Sequence, residues 1–189
     1  MIQNLPRPVS GRILYPVAIA LVALLILCNL ALIFGFSSES REESGSRSRE
    51  VTVLVAKILY PNLDTLSEEE QETAVESLHG YVRKAAHFLE FALLGWLTAA
   101  LATLIRGYFG LSVRVFLTAG APGGFCLLTA AADETYQIFT NRGASPVDVC
   151  IDFCGGLCGI LFLHAIVWTV TAVRRRAAQA QKRKEGASP

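Results

Sequence analysis

The segment AAHFLEFALLGWLTAALATLI, Ala85 to Ile105, is long and apolar enough to cross a lipid bilayer. A hydrocarbon layer of roughly 30 Å needs about 20 helical residues. Three further stretches meet the same condition: Ile13 to Phe36, Val115 to Ala132, and Val147 to Val173. Because 52% of the 189 residues are apolar and only 17% are charged, an ordinary soluble domain is disfavoured. The sequence predicts an all-α integral membrane protein with four transmembrane helices.

The distribution of Lys and Arg predicts the orientation of these spans. With the N-terminus inside, the cytoplasmic segments hold two, two and six basic residues, in the order 1–12, 106–114 and 174–189. The other seven basic residues and 15 of the 16 acidic residues lie elsewhere in the chain. We therefore expect both termini in the cytoplasm. Residues 13–173 would form the membrane domain, and the basic tail would be disordered.

Residues 37–84, between the first two spans, form a long outer segment with two helical signals. Apolar residues keep helical spacing before Pro61, namely Val51, Val55, Ile58 and Leu59. Such a stripe indicates an amphipathic helix lying at the membrane interface. Ser67 followed by Glu70 has the pattern of a capping box, which begins a second helix. That helix can continue through Gly80 into the second span.

The third and fourth spans contain residues that modify helix geometry. Pro122, near the middle of the third span, removes a backbone donor and can kink the helix. Ser145 and Pro146 form a strong helix start, with serine as N-cap and proline at the first helical position. Gly155 and Gly159 are four residues apart, which permits a neighbouring helix to approach closely. We therefore expect a kink in the third helix and a tight contact along the fourth.

Ionisable residues gather at the outer ends of three predicted spans. A charged residue inside a span is energetically costly, so each is a candidate functional residue. Helical spacing places Arg83, His87 and Glu90 on one face of the second span. The same spacing places Asp133 and Gln137 on one face of the third span. The three helices are thus expected to bring polar faces to one depth.

The remaining candidates belong to the third and fourth spans and the turn that links them. Asp148 and Asp152 share a face at the start of the fourth span, and Arg142 lies in the turn. Glu134 is rotated about 100° from its neighbour in the third span. The candidate catalytic or ligand-binding residues are Arg83, His87, Glu90, Asp133, Glu134, Gln137, Arg142, Asp148 and Asp152.

Structural roles compete with functional ones at several of these positions. Asp148 can cap its helix, and Arg83 and Lys84 can extend towards the interface as basic residues do at helix ends. The acidic residues can form ion pairs with Arg83 and Arg142. Five carboxylates nevertheless face three basic residues, so the fully ionised cluster would carry two negative charges. That excess predicts protonated carboxyls, a charged His87, a bound cation, or side chains turned to water.

Two stretches carry recognisable motifs: RKAAHFLEFALLG, Arg83 to Gly95, and DETYQIFTNRGASPVDVCIDFCGGLCG, Asp133 to Gly159. Together they resemble the VanZ-like family of bacterial membrane proteins. The specific motifs occupy about 40 residues, and the resemblance covers all four predicted helices. Phe91 stands where the family usually has Tyr, and Glu39 where it usually has Gln. The missing phenol argues against a mechanism that needs a tyrosine hydroxyl beside Glu90.

The resemblance implies a role in the bacterial cell envelope, with the chain in the cytoplasmic membrane. The family takes its name from a protein associated with resistance to the glycopeptide antibiotic teicoplanin. Carried over residue by residue, its motif positions are Arg83, Lys84, His87, Glu90, Asp133, Glu134, Gln137, Arg142, Asp148 and Asp152.

Two functions fit these residues. In the first, an outward-facing pocket binds a membrane lipid or a lipid-linked envelope intermediate, and Arg83, Lys84 and Arg142 hold its anionic group. In the second, the protein is an intramembrane hydrolase or transferase that uses acid-base or metal-assisted chemistry. The side chains suited to a divalent cation are those of His87, Glu90, Asp133 and Asp152. A proton-coupled transporter is weaker, because nothing comparable lines the inner half, and no motif indicates a nucleic-acid partner.

Overall fold

The computed structural model describes residues 9–39, 41–111, 116–140 and 143–185, which form five α-helices and no strand. The α-helices are α1 (Val9–Ser37), α2 (Arg41–Leu59), α3 (Glu68–Phe109), α4 (Ala121–Phe139) and α5 (Pro146–Glu185). A 3-10 helix covers Leu63–Thr65, and a π-helix covers Phe116–Gly120. The predicted all-α class is confirmed for the part of the chain that the structure describes.

Among the residues that the structure describes, three helices are long and apolar enough to cross a membrane. They contain the segments Leu14–Ser37, Glu68–Phe109 and Pro146–Gln181. Helix α4 is not among them, and three polar residues, Asp133, Glu134 and Gln137, lie in its last two turns. The membrane character is therefore carried by α1, α3 and α5. A fourth crossing and the orientation of the chain stay predictions.

Contacts at the two ends of the bundle give the directions of α1, α3 and α4. The Thr140 hydroxyl, just after α4, donates a hydrogen bond of 3.2 Å to the carbonyl of Ser37 at the end of α1. At the opposite end, the rings of Tyr15 and Tyr108 have centroids 6.3 Å apart. Helix α1 therefore runs parallel to α4 and antiparallel to α3. We call the end that contains Ser37 and Thr140 the polar end.

Helices α3 and α5 meet backbone to backbone. A Cβ atom placed on Gly155 would lie 2.2 Å from the carbonyl oxygen of Phe88, and one on Gly159 would lie 1.9 Å from that of Ala92. Both contacts advance by four residues on each helix, so α3 and α5 run parallel. The expected close approach is confirmed. Gly95 of α3 is equally close to the α5 backbone, although the sequence analysis had not singled it out.

The segment before the second span folds into a helical hairpin. Ser67 and Glu70 form the predicted capping box, and α3 continues without interruption through Gly80. Helix α2 packs against the first part of α3, where the Ser48 hydroxyl and His79 Nε2 are 2.6 Å apart. The two helical signals in this segment are therefore confirmed as helices.

The packed face of α2 differs from its apolar stripe. Thr52 and Ala56 are buried against the hairpin, whereas Leu54 is 64% exposed and Ile58 is 77% exposed. Small residues suit the inner face because they let two helices lie close together. The apolar residues remain on the outside of the hairpin, and their contact with a membrane interface stays a prediction.

The irregularity expected at Pro122 takes the form of the π-helix that directly precedes α4. Pro122 lies in the first turn of α4 and has no N–H group to donate to the carbonyl of Thr118. A single turn with i to i+5 hydrogen bonds accommodates that missing donor. His164 of α5 lies beside this turn, with Nε2 3.3 Å from the Thr118 hydroxyl.

Helix α5 extends well past the predicted end of the fourth span at Val173. It ends at Glu185, so the basic segment that we expected to be disordered is helical through that residue. The sequence RRRAAQAQKRKE contains only good helix formers and no glycine or proline, which explains the continuation. Residues 186–189 lie outside the described part of the chain.

Candidate functional site

Three helices bring the predicted site residues to the polar end of the bundle. Helix α3 contributes Arg83, Lys84, His87 and Glu90, α4 contributes Asp133, Glu134 and Gln137, and α5 contributes Asp148 and Asp152. Arg142 lies outside the described residues. The glycine contacts between α3 and α5 hold the site residues of these two helices at the same height along the bundle.

Four polar side chains of α4 and α5 are withdrawn from solvent. The exposed fractions are 0% for Asp133, 4% for Glu134, 3% for Gln137 and 1% for Asp152. The Gln137 Nε2 atom donates a hydrogen bond of 2.9 Å to Oδ2 of Asp133. The Ser145 backbone N–H donates one of 2.8 Å to Oε2 of Glu134. Glu134 thus fixes the start of α5 to α4, which is a structural role for a residue predicted as functional.

His87, Asp133 and Asp152 converge across the three helices. One nitrogen of His87 and one carboxylate oxygen from each aspartate lie within 4.8 Å of one another. Among the described residues, neither oxygen of Asp152 has a hydrogen-bond partner, and Oδ1 of Asp133 has none either. Such orphaned buried oxygens are rare in native structures and call for a ligand or a proton. Among the residues that the structure describes, these three form a group that can hold a metal ion.

Of the four side chains that the sequence suggested for a divalent cation, Glu90 is the one that lies outside the group formed in the structure. Its Oε2 atom lies 4.0 Å from Nδ1 of His87, but the residue is not in the group formed with Asp133 and Asp152. Within α3, Glu90 lies three residues, or about one helical turn, after His87. His87 therefore stands between the buried aspartates and Glu90.

The two basic residues of α3 have different surroundings. Lys84 is half exposed and lies 3.7 Å from Oδ1 of Asp148, forming a loose ion pair at the rim. Arg83 is partly buried and makes no hydrogen bond or ion pair with any residue that the structure describes. Its guanidinium carries five donors and stays charged. Arg83 is therefore available to a ligand.

Two cavities adjoin Arg83 and His87. The smaller one, about 10 Å³, has room for about one water molecule or ion. Its lining comprises Arg83, Lys84, His87, Glu134, Gln137, Asp148, Ile151 and Asp152. The larger one, about 150 Å³, opens between α1, α2 and α3. Its lining comprises Phe36, Glu39, Ser44, Arg47, Ser48, Val51, Val82, Arg83, Ala86, His87 and Glu90.

A protein-family model described as VanZ/LLP1 matches residues 21–168. The chain belongs to the VanZ/LLP1 family. This confirms the resemblance stated from the motifs, and the matched range contains every candidate site residue. Neither a curated protein nor a solved structure matches the chain.

The polar end of this VanZ/LLP1 protein carries an excess of carboxylates. The predicted site residues that the structure describes include five carboxylates, on Glu90, Asp133, Glu134, Asp148 and Asp152, against the two cations of Arg83 and Lys84. Buried charges are stable only when paired or neutralised. The arrangement therefore favours a bound cation or proton beside the aspartates and an anion beside Arg83.

The larger cavity includes VanZ/LLP1 residues that the sequence did not identify as site candidates. Arg47 of α2 lies 5.0 Å from the ring centroid of Phe36 and pairs with Glu39 at 2.5 Å. Neither Phe36 nor Arg47 belongs to a motif of ionisable residues inside a span. The packing of α1 against α3 brings Phe36 to the cavity, and the packing of α2 against α3 brings Arg47 there. Helical periodicity gives no signal for either contact.

Proposed function

We propose that this VanZ/LLP1 protein binds the anionic head group of a lipid-linked envelope intermediate in the cavity between α1, α2 and α3. Arg83 carries the proposal, because it lines both cavities and makes no ion pair with the described residues. Guanidinium groups form bidentate hydrogen bonds with phosphate. Because Arg83 lines both cavities and has no ion pair with the described residues, a phosphate group is the ligand that matches it best.

The larger cavity also suits the apolar part of such a ligand. Phe36, Val51, Val82 and Ala86 supply apolar surface, while Arg83 supplies a positive charge. A cavity with apolar walls and a few placed polar groups is typical of a site for an amphiphile. A polyprenyl phosphate combines the two chemistries and serves as the probe.

The binding test uses the full chain in lipid nanodiscs with a polyprenyl phosphate. Replacing Arg83→Gln should weaken binding about 10- to 100-fold, since charged hydrogen bonds contribute about 1.5–3 kcal/mol. Lys57→Gln is the control, because Lys57 is an exposed cation already paired with Asp64 at 3.0 Å. Equal affinity of Arg83→Gln and the native protein would remove Arg83 from the site and refute the proposal.

The proposed topology has four crossings of the bacterial cytoplasmic membrane, with both termini inside and the polar end at the outer leaflet. The location of the Lys and Arg residues supports this orientation. Helix α4 runs alongside α1 and reaches the same polar end, which supports a fourth crossing. Alkaline phosphatase fused after Glu76 should be active, and fused after Gln181 it should be inactive. The reverse pattern would invert the orientation.

We extend the proposal to glycopeptide resistance, which the family relationship suggests. A ligand pocket for wall intermediates at the outer leaflet would alter the supply of the molecules that teicoplanin recognises. Expression of the native chain in a susceptible bacterium should raise the inhibitory concentration of teicoplanin, and Arg83→Gln should not. If the inhibitory concentration does not change at equal expression, the protein has no role in teicoplanin resistance.

The second candidate function is an intramembrane hydrolase or transferase. His87, 4.0 Å from Glu90, faces the cavity proposed for the lipid and can act as a general acid or base. Release of phosphate or transfer of the head group from a radiolabelled polyprenyl phosphate or diphosphate would support it. Loss of that turnover in His87→Gln, with retained binding, would assign the histidine. If the native protein shows no turnover, the enzyme function is refuted and only the binding function remains.

A further inference from the structure

We infer that His87, Asp133 and Asp152 bind a divalent first-row transition cation, Zn²⁺ or Mn²⁺, between α3, α4 and α5. The three residues come from three helices and offer one nitrogen and two oxygen atoms within 4.8 Å of one another. Three protein ligands with an open position are typical of a functional metal site. The site is separate from the lipid cavity, although it shares His87 with the cavity wall.

The unpartnered oxygens of the two aspartates support a cation over a structural role. Asp152 is 1% exposed and both of its oxygens lack a hydrogen-bond partner among the described residues. A pair of protonated carboxyls would be expected to share a hydrogen bond, yet none joins Asp133 to Asp152 in this part of the chain. A cation would satisfy the free oxygens and offset their negative charge.

Gln137 orients one of the proposed ligands. Its amide donates to Oδ2 of Asp133 and leaves Oδ1 without a hydrogen-bond partner among the described residues. Hydrogen bonds of this kind fix the orientation of carboxylate ligands at metal sites. The sequence motif Asp133-Glu-x-x-Gln137 thus supplies a ligand together with the residue that positions it.

The donor set selects the class of metal. Imidazole favours transition metals, while carboxylates favour harder cations, so the mixed set suits Zn²⁺ or Mn²⁺ over Ca²⁺. Metal–ligand distances of about 2.1 Å place donors about 3 to 3.5 Å apart, so the separations between donor atoms would shorten by up to about 1.3 to 1.8 Å. The adjoining cavity of about 10 Å³ leaves room for one further ligand atom. A phosphate oxygen would take that place, and this last step rests on the proposed function.

The test uses the purified full chain in detergent, stripped with a chelator and then titrated with ZnCl₂ or MnCl₂. We expect about one equivalent of one of these metals per chain, with a rise in the thermal unfolding temperature. Asp152→Asn has the same shape and should weaken metal binding at least about tenfold. The metal should then no longer raise the unfolding temperature.

Stability without metal separates loss of a ligand from loss of folding. Because Asp152→Asn removes a buried, unpartnered carboxylate, the metal-free variant should unfold at the same or a higher temperature than the native chain. Asp64→Asn is the control, since Asp64 is an exposed carboxylate in the hairpin. It should keep the native metal affinity. If Asp152→Asn does not fold, Asp133→Asn is titrated in the same way.

The outcomes distinguish this inference from the proposed function. Each preparation is also tested for polyprenyl phosphate binding in the presence of chelator. Metal binding that the aspartate variants lose supports the site even if the phosphate does not bind. If the native chain binds neither metal more tightly than Asp152→Asn or Asp133→Asn does, the metal site is refuted, whatever the phosphate result.

Discussion

Gly159→Ala is expected to separate α3 from α5 and to disturb the polar end. The added Cβ atom would lie 1.9 Å from the carbonyl oxygen of Ala92 and 2.9 Å from the backbone nitrogen of Trp96. These atoms belong to the backbone of α3, so no side-chain rotation can relieve the contact. The helices themselves must move.

The size of the movement follows from the contact distance. A carbon and an oxygen approach to about 3.3 Å, so α3 and α5 must separate locally by about 1.4 Å. Overpacking of this kind typically costs about 1–3 kcal/mol. His87 is on α3 and Asp152 on α5, so the separation would also spread the proposed cation ligands. We therefore expect lower stability together with weaker Zn²⁺ or Mn²⁺ binding.

The assay is thermal unfolding of the purified chain in detergent, followed by metal titration. Gly124→Ala is the matched control, because an added Cβ atom at Gly124 meets nothing within 4 Å. Alanine there should leave stability unchanged or raise it by up to about 1 kcal/mol. If Gly159→Ala unfolds at the same temperature as Gly124→Ala and binds metal equally well, the close backbone contact does not control the site.

Two further predictions concern single hydrogen bonds. Ser67→Ala removes the side-chain part of the capping box, so the first turn of α3 should lose about 1 kcal/mol and show faster amide hydrogen exchange. Unchanged exchange in that turn would contradict this role. Gln137→Leu removes the donor to Asp133 and should weaken Zn²⁺ or Mn²⁺ binding about 10- to 100-fold. Native affinity in this variant would show that Gln137 does not position the ligand.

Much of the secondary structure could be predicted because its causes are local. The Ser67 capping box, the continuation of α3 through Gly80 and the start of α5 at Pro146 depend on neighbouring residues. The π-helix before Pro122 also has a local cause, but its form could not be predicted. A missing proline donor can be accommodated by a kink or by a change in hydrogen-bond spacing.

The sequence predicted which helix faces carry the candidate site residues, but not how those residues are arranged in space. Periodicity placed His87 with Glu90 on one face, and both line the larger cavity, but only the packing shows that the histidine also lies beside Asp133 and Asp152. Glu134 was predicted as functional, and its bond to the Ser145 N–H gives it a structural role. These distinctions depend on how each helix is rotated about its axis.

By itself the sequence determined the helical class, the helix starts at Ser67 and Pro146, the apolar segments and the helix faces that carry the polar residues. These properties follow from hydrophobicity, spacing and capping, which act over a few residues. Only the tertiary structure decided that His87, Asp133 and Asp152 form one group, that α2 completes the larger cavity, and that Arg83 lines both cavities without an ion pair among the described residues. The physical reason is that helix rotation is fixed by contacts distant in sequence, such as Gly159 against Ala92, and local patterns do not contain them.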